Sequence, residues 1–205
     1  MDGLVAEAPE VLQFWFGEQQ KGFSADAFRK RWFAGGAAFD VEIREKFSGT
    51  IAAAASGELD DWLMQPLSRL AYILVCDQLP RNLFRGSPQA FDLDPQALAA
   101  ARSGIIVGAD ADLTFDERSF FYMPLEHSED LFDQHACVGL FSLLRDRTPE
   151  GCRHLTGASL KYAQQHRDIV LRFGRFPHRN TVLQRSSTPE ELKFLEEGPT
   201  FGQTA

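Results

Sequence analysis

The stretch Pro66-Leu67-Ser68-Arg69-Leu70-Ala71-Tyr72-Ile73-Leu74-Val75 decides how this chain is read. Proline suits the first turn of a helix, where its missing N–H would have had no partner, so Pro66 marks a start. Leu67, Leu70, Ala71, Ile73, Leu74 and Val75 then place apolar groups almost all round the helix axis. A helix without a polar face is one that other helices surround, so this segment predicts a central position. Upstream, Phe39, Ile43, Phe47 and Ile51 recur every four residues and form one buried stripe on a helix that reaches Ala55 and stops at Gly57. Pro9 opens a short helix over Val11 to Phe16 that Gly17 closes, and Ser24 stands where it caps residues 25–33. Downstream, Asp94-Pro95 gives an N-cap and first-turn pair, and Ser128 caps a helix over Glu129 to Leu144. Thr188-Pro189-Glu190-Glu191 has capping-box spacing ahead of Leu192, Phe194 and Leu195. No stretch alternates apolar and polar residues with β-branched enrichment, so no sheet is predicted. The expectation is an all-α chain forming a single helical domain over residues 1–205.

Composition narrows the partners. The 205 residues are 44% hydrophobic with 18 phenylalanines, enough to fill a substantial core. A net charge of -8 leaves no broad basic face for nucleic acid or anionic membrane. No apolar run approaches the length needed to cross a bilayer, and Met1 to Val5 lacks a basic leader, so no membrane partner is expected. Cys76, Cys137 and Cys152 form neither a ligand spacing nor an even disulfide set, which favours a reducing, cytoplasmic setting. Cys76, on the apolar helix, reads as a buried small hydrophobe, and Trp15-Phe16 with Trp32-Phe33 as core. Phosphate-binding glycine loops, dinucleotide fingerprints and the serine nucleophile elbow are missing. Asp110, Asp112 and Asp116 lack the glycine and terminal glutamate of a calcium loop, and no Glu/His spacing matches zinc, so neither a metal nor a cofactor is expected.

Against that acidic background the arginines cluster. Arg172-Phe173-Gly174-Arg175-Phe176-Pro177-His178-Arg179-Asn180 sets three guanidiniums, an imidazole and an amide among apolar residues. A guanidinium cannot shed its charge, so each must be exposed, paired with a carboxylate, or kept for a ligand. Asp77-Gln78-Leu79-Pro80-Arg81-Asn82-Leu83-Phe84-Arg85-Gly86 repeats the mixture, with Pro80 expected to end the helix and deliver Arg81, Asn82 and Arg85 at its terminus. Glu126-His127-Ser128-Glu129 lies between the two and supplies acidic groups. Converging guanidiniums favour a small anion. The rival reading is internal, with Glu126, Glu129, Asp77, Asp92 or Asp94 consuming those bonds in a network that pins helices together.

These segments, together with Val11-Leu12-Gln13-Phe14-Trp15-Phe16 and His166, make the chain resemble the bacterial domain-of-unknown-function 924 family over nearly its whole length. The resemblance implies antiparallel helix pairs in a tetratricopeptide-like superhelix and supplies no activity. The chain departs from the family pattern at Gln184, where a glycine is expected before Arg185.

Two functions from different classes stay open. In the first, Arg81, Arg85, Arg172, Arg175 and Arg179 hold a small carboxylate or phosphate ligand, and Asn82 and Asn180 orient it. Glu126, His127, Glu129, His166 and His178 line the same pocket, His178 with Glu126 being the acid–base pair if a reaction occurs. In the second, the helices form a groove for a peptide or protein partner and the polar clusters are internal struts.

Overall fold

Helix α1 (Ala8–Phe16) carries Pro9 in its first turn and ends at Gly17, whose φ is +60°. A β-carbon at Gly17 would lie 2.3 Å from the Phe28 ring, so glycine is needed there both for the left-handed backbone and for the close approach of α2 (Asp26–Ala34). Between them the chain makes a two-residue antiparallel hairpin, β1 (Gln19–Gln20) with β2 (Phe23–Ser24), in register Gln19 to Ser24. No sheet was expected, and pairs this short leave no alternation to read. Ser24 does not cap the following helix; its N–H donates to the Asp116 carboxylate at 2.7 Å. The structure, a computed structural model, describes residues 4–34 and 36–199, with the side chains of Phe33, Ala34 and Glu197 left aside. The expectations placed on Met1 to Gly3 and on the Phe33 ring therefore lie outside the described residues.

Helix α3 (Gly36–Ser56) buries Phe39, Ile43, Phe47 and Ile51 as their spacing required, together with Ala53 and Ala54. A 3-10 turn at Asp60–Met64 leads into α4 (Pro66–Ile73). Leu70, Ala71, Ile73, Leu74, Val75 and Cys76 have no exposed surface, while Leu67 is half exposed. Helix α4 touches α1, α6 (Asp94–Ile106) and α7 (Phe115–His127), so it is enclosed by helices as its sequence demands.

Pro80 does not end this helix. The chain widens into a π turn over Leu74–Gln78, with the Leu79 N–H reaching back to Leu74 O, and continues as α5 (Leu79–Leu83). A wider turn accommodates the proline ring and its missing donor. The backbone oxygens of Asp77 and Gln78, each four residues before its donor, also accept side-chain bonds, from Arg81 at 2.6 Å and from Asn82 at 3.0 Å. Arg81 and Asn82 are thereby fixed in mid-helix rather than freed at an end.

Helix α8 (Leu131–Arg147) packs along α9 (Arg153–Phe173), and a 3-10 turn at Pro177–Arg179 leads to α10 (Pro189–Glu197), whose Thr188 and Glu191 form the expected capping box. The cap of α8 differs from expectation. Asp130 accepts the Phe132 N–H, Ser128 turns its hydroxyl to Asp133, and Glu129 is left outside the helix. Asp94 likewise lies inside α6, one residue past the N-cap Leu93, with its carboxylate facing Arg81.

Two apolar clusters result. The larger contains Trp15, Phe16, Trp32 and Phe120, whose rings meet edge to face at 4.7 to 5.9 Å. The smaller joins Ile169, Val170 and Phe176. Helix α9 spans both, contributing Leu160 and Ala163 to the first and Ile169 and Val170 to the second, with buried His166 between them. Among the described residues the chain is all-α apart from one hairpin.

Candidate functional site

At the seam between the two apolar clusters the chain gathers charge. Asp77, on the π turn, is wholly buried and accepts from His127 Nδ1 at 2.7 Å, Arg81 Nη1 at 3.2 Å and Gln78 Nε2 at 2.5 Å. Burial alone would raise its carboxyl, but Arg81 and His127 hold it below the usual carboxylate range. Asp77 is therefore ionised, and the His127 proton sits on Nδ1, leaving Nε2 with the lone pair. Burial and the Arg81 charge push the His127 imidazole down, against the pull of Asp77, so it is neutral.

Glu126, the preceding residue of α7, has the opposite surroundings. It is buried without a guanidinium, and burial, with Asp77 adding repulsion, pushes its carboxyl up to about 8. Its Oε1 lies 3.3 Å from His166 Nδ1, which also donates to Tyr162 O at 2.9 Å. Burial takes the His166 imidazole down to about 3. The end of α7 is held in place by Gln134, whose amide donates to the Leu125, Glu126 and Ser128 carbonyls.

Arg81 and Arg179 supply the cations. Arg81 makes a two-pronged pair with Asp94 at 2.7 and 2.9 Å. Arg179 arrives from the turn after Phe176 and reaches Asp94 only at 3.6 Å. Its Nε is buried and has no acceptor among the described residues. Phe91 and Phe176 lie against its guanidinium, 4.8 and 4.7 Å from the ring centres. Burial and the neighbouring Arg81 bring Arg179 down to about 10, so it keeps its charge near neutrality. His178 adjoins it and is pushed down to about 3 by burial and by Arg179.

The remaining expected residues divide. Glu129, free of the helix, takes the Phe176 N–H at 2.7 Å and both prongs of Arg185 at 2.7 and 3.0 Å. Burial would raise Glu129, but these donors hold it low. Asn180 is buried and joins Arg185 to Ser187, so its amide braces the turn. Arg175 is taken by Glu191 at 2.7 and 2.8 Å, and exposed Arg172 by exposed Glu190. Arg85 is exposed and reaches Asp40 and Asn82. Arg81, Glu126, His127, His166, His178 and Arg179 thus meet at the seam, while Arg85, Arg172 and Arg175 lie outside it and face their own partners.

Asp77 and Asp94 anchor the seam, both among the carboxylates that the sequence offered to the arginines. Phe91 and Arg185 gave no local signal, because their roles depend on segments brought together by folding. Two hollows lie elsewhere. One, of about 500 Å³, is walled by Ile51, Ala52 and Ala55 of α3 opposite Pro80, Leu83 and Phe84. The other, of about 620 Å³, lies between Ile105 and Ile106 of α6 and Phe132, Leu140 and Leu143 of α8. Neither is lined by Arg179, His127 or Glu126. Among the described residues no His, Cys, Asp and Glu side chains group as a metal site, and no helix is long and apolar enough to cross a membrane.

Fold and seam together define an all-α protein with a buried arginine, histidine and carboxylate cluster where α5, α6, α7, α9 and the following turn meet. The chain belongs to the family described as bacterial protein of unknown function (DUF924), whose model matches residues 11–199. It is also similar to the solved structure of a protein of unknown function, ATU0120, from Agrobacterium tumefaciens. Identity is 40% over 93% of this chain and 97% of that one, with a TM-score of 0.79. No curated protein matches it significantly. Gln184 sits at φ +53°, the left-handed region that glycine enters without cost.

Proposed function

We propose that the seam binds a small anionic metabolite through a carboxylate or phosphate group, with Arg179 as its anchor. The observation that carries this reading is the incomplete pairing of Arg179. Buried guanidiniums are ordinarily saturated by carboxylates or backbone oxygens, and a buried donor without an acceptor is costly to keep. Arg179 has no acceptor for its Nε among the described residues and shares Asp94 with Arg81, which holds that carboxylate far more closely. An anion entering beside Arg179 would supply the missing acceptor. The Asp77–His127 pair adds an imidazole whose Nε2 can take a proton from a bound acid, the arrangement that general-base chemistry requires. His127 rather than His178 is therefore the acid–base candidate, because an ionised carboxylate orients it.

The saturation of Arg172, Arg175 and Arg185 by glutamates favours the strut reading for those three alone. Thermal melting at low ionic strength in acetate, succinate or inorganic phosphate separates the two roles. The wild type is expected to melt higher in at least one anion, by the equivalent of about 2.7 kcal/mol at a hundredfold excess over Kd. Arg179→Lys is expected to lose the shift and Arg172→Ala to keep it. Equal shifts in all three proteins, or none in the wild type, would remove the anion site.

A further inference from the structure

The seam is close to electrically neutral before any anion arrives. Arg81 and Arg179 face the carboxylates of Asp77 and Asp94. Glu126 holds its proton near neutrality, and the imidazoles of His127, His166 and His178 are uncharged. An anion bound at Arg179 would leave one uncompensated negative charge in surroundings that water scarcely reaches, and low-dielectric sites relieve such charge by taking up a proton.

One group is placed to receive that proton. His127 already donates Nδ1–H to Asp77 at 2.7 Å, so protonation of Nε2 creates an imidazolium with a carboxylate partner in place. Its side chain is 16% exposed, enough for exchange with solvent. The groups facing it are Asp77 and Arg81 from the α4 to α5 stretch, Glu126 from its own helix, His166 from α9 with ring centres 6.3 Å apart, and His178 and Arg179 from the turn. Among these, Asp77 is the ionised carboxylate. His166 faces Glu126 in its neutral form, and His178 adjoins the Arg179 charge, so both resist protonation more strongly.

Resting on the anion reading above, we propose that the site takes up its anion together with one proton, lodged on His127 against Asp77, and prefers a planar monocarboxylate to phosphate. The proton comes from solvent, so one H⁺ is consumed per anion bound. The preference follows from charge and shape. Phe91 and Phe176 lie against the Arg179 guanidinium and its Nε has no acceptor among the described residues, and a guanidinium pairs a coplanar carboxylate through two parallel bonds. Phosphate at neutral pH carries additional charge for which the seam has no second proton acceptor of comparable placement.

Titration calorimetry of the full chain with acetate, between pH 6 and 7.5 and in two buffers of different ionisation enthalpy, tests this. The expected result is a buffer-dependent heat corresponding to nearly one proton per acetate, and an affinity that falls by up to about tenfold per pH unit as pH rises. Inorganic phosphate is expected to bind at least about tenfold more weakly, as a second unneutralised charge requires. His127→Gln, which can still donate to Asp77, is expected to bind acetate without proton uptake and without pH dependence, its melting curve confirming that it folds. Acetate binding by the wild type with no buffer-dependent heat overturns the proton coupling and leaves the anion site standing. Phosphate binding more tightly than acetate overturns the selectivity. Absence of binding by either anion, or an Arg179→Lys protein that binds like the wild type, overturns the anion site and the coupling together.

Discussion

Arg172, Arg175 and Arg185 on one side, and Arg81 and Arg179 at the seam on the other, are the same residue type in two electrostatic settings. Arg172, Arg175 and Arg185 each have a glutamate of their own in Glu190, Glu191 and Glu129. Arg81 and Arg179 share Asp94, and Arg81 holds it at 2.7 Å while Arg179 stands off at 3.6 Å. The difference lies in how many carboxylates folding delivers to each guanidinium. Where supply matches demand, the arginines tie α10 and the preceding turn to α9 and to the segment before α8. Where it falls short, a buried cation retains bonding capacity.

Removing a seam carboxylate should break the contrast most severely. Asp77→Ala leaves Arg81 short of one partner and His127 without its carboxylate in a fully buried position, and is expected to destabilise by about 3 to 5 kcal/mol in urea unfolding. A loss below about 1 kcal/mol would show that the seam is no more demanding than an exposed pair such as Arg172 with Glu190.

A smaller effect separates the seam by pH. Glu126 is raised to about 8 in the folded protein, so from its ordinary value upward the folded state holds a proton that the unfolded chain has released. Stability conferred by that difference is fully present at low pH and is lost as pH rises through about 8. His166 and His178, depressed to about 3, act with the opposite sign: their contribution grows as pH rises from about 3 to the ordinary imidazole range near 6.5. Between about pH 6.5 and 8 the Glu126 contribution stands alone among these groups. The wild type should lose about 1 to 2 kcal/mol across that window, read as a fall in the urea midpoint, and Glu126→Gln should stay flat. A wild-type midpoint independent of pH there would place Glu126 among ordinary carboxylates.

The smallest expected change sharpens the other side of the comparison. Gln184 holds a left-handed backbone one residue before Arg185, which clasps Glu129. Gln184→Gly should stabilise by up to about 1 kcal/mol by relieving that conformation, offset in part by greater freedom in the unfolded chain. A lower melting temperature for the variant would mean that the glutamine side chain compensates for its backbone.

Much of the architecture was legible in local pattern. The four-residue stripe from Phe39 to Ile51, the apolar helix after Pro66 and the capping box at Thr188 all read correctly, because each depends on neighbours within one or two turns. Four local readings failed where another side chain or a wider turn took over. Pro80 was absorbed by a π turn whose carbonyls at Asp77 and Gln78 hold the side chains of Arg81 and Asn82, Ser128 yielded its cap to Asp130, Asp94 moved inside its helix to face Arg81, and Ser24 entered a hairpin tied to Asp116. The seam was half legible. Arg81, Glu126, His127, His166, His178 and Arg179 were named from clustering, whereas clustering equally named Arg85, Arg172 and Arg175, which face other partners.

By itself, the order of residues determined that this chain is helical, which faces are apolar, and that guanidiniums and carboxylates are gathered in three stretches. Only the tertiary structure decided which carboxylate reached which guanidinium. Helical periodicity is enforced by bonds within a few residues, but the pairing of Asp94 with Arg81 and of Glu129 with Arg185 depends on segments 13 and 56 positions apart being packed to within hydrogen-bond reach.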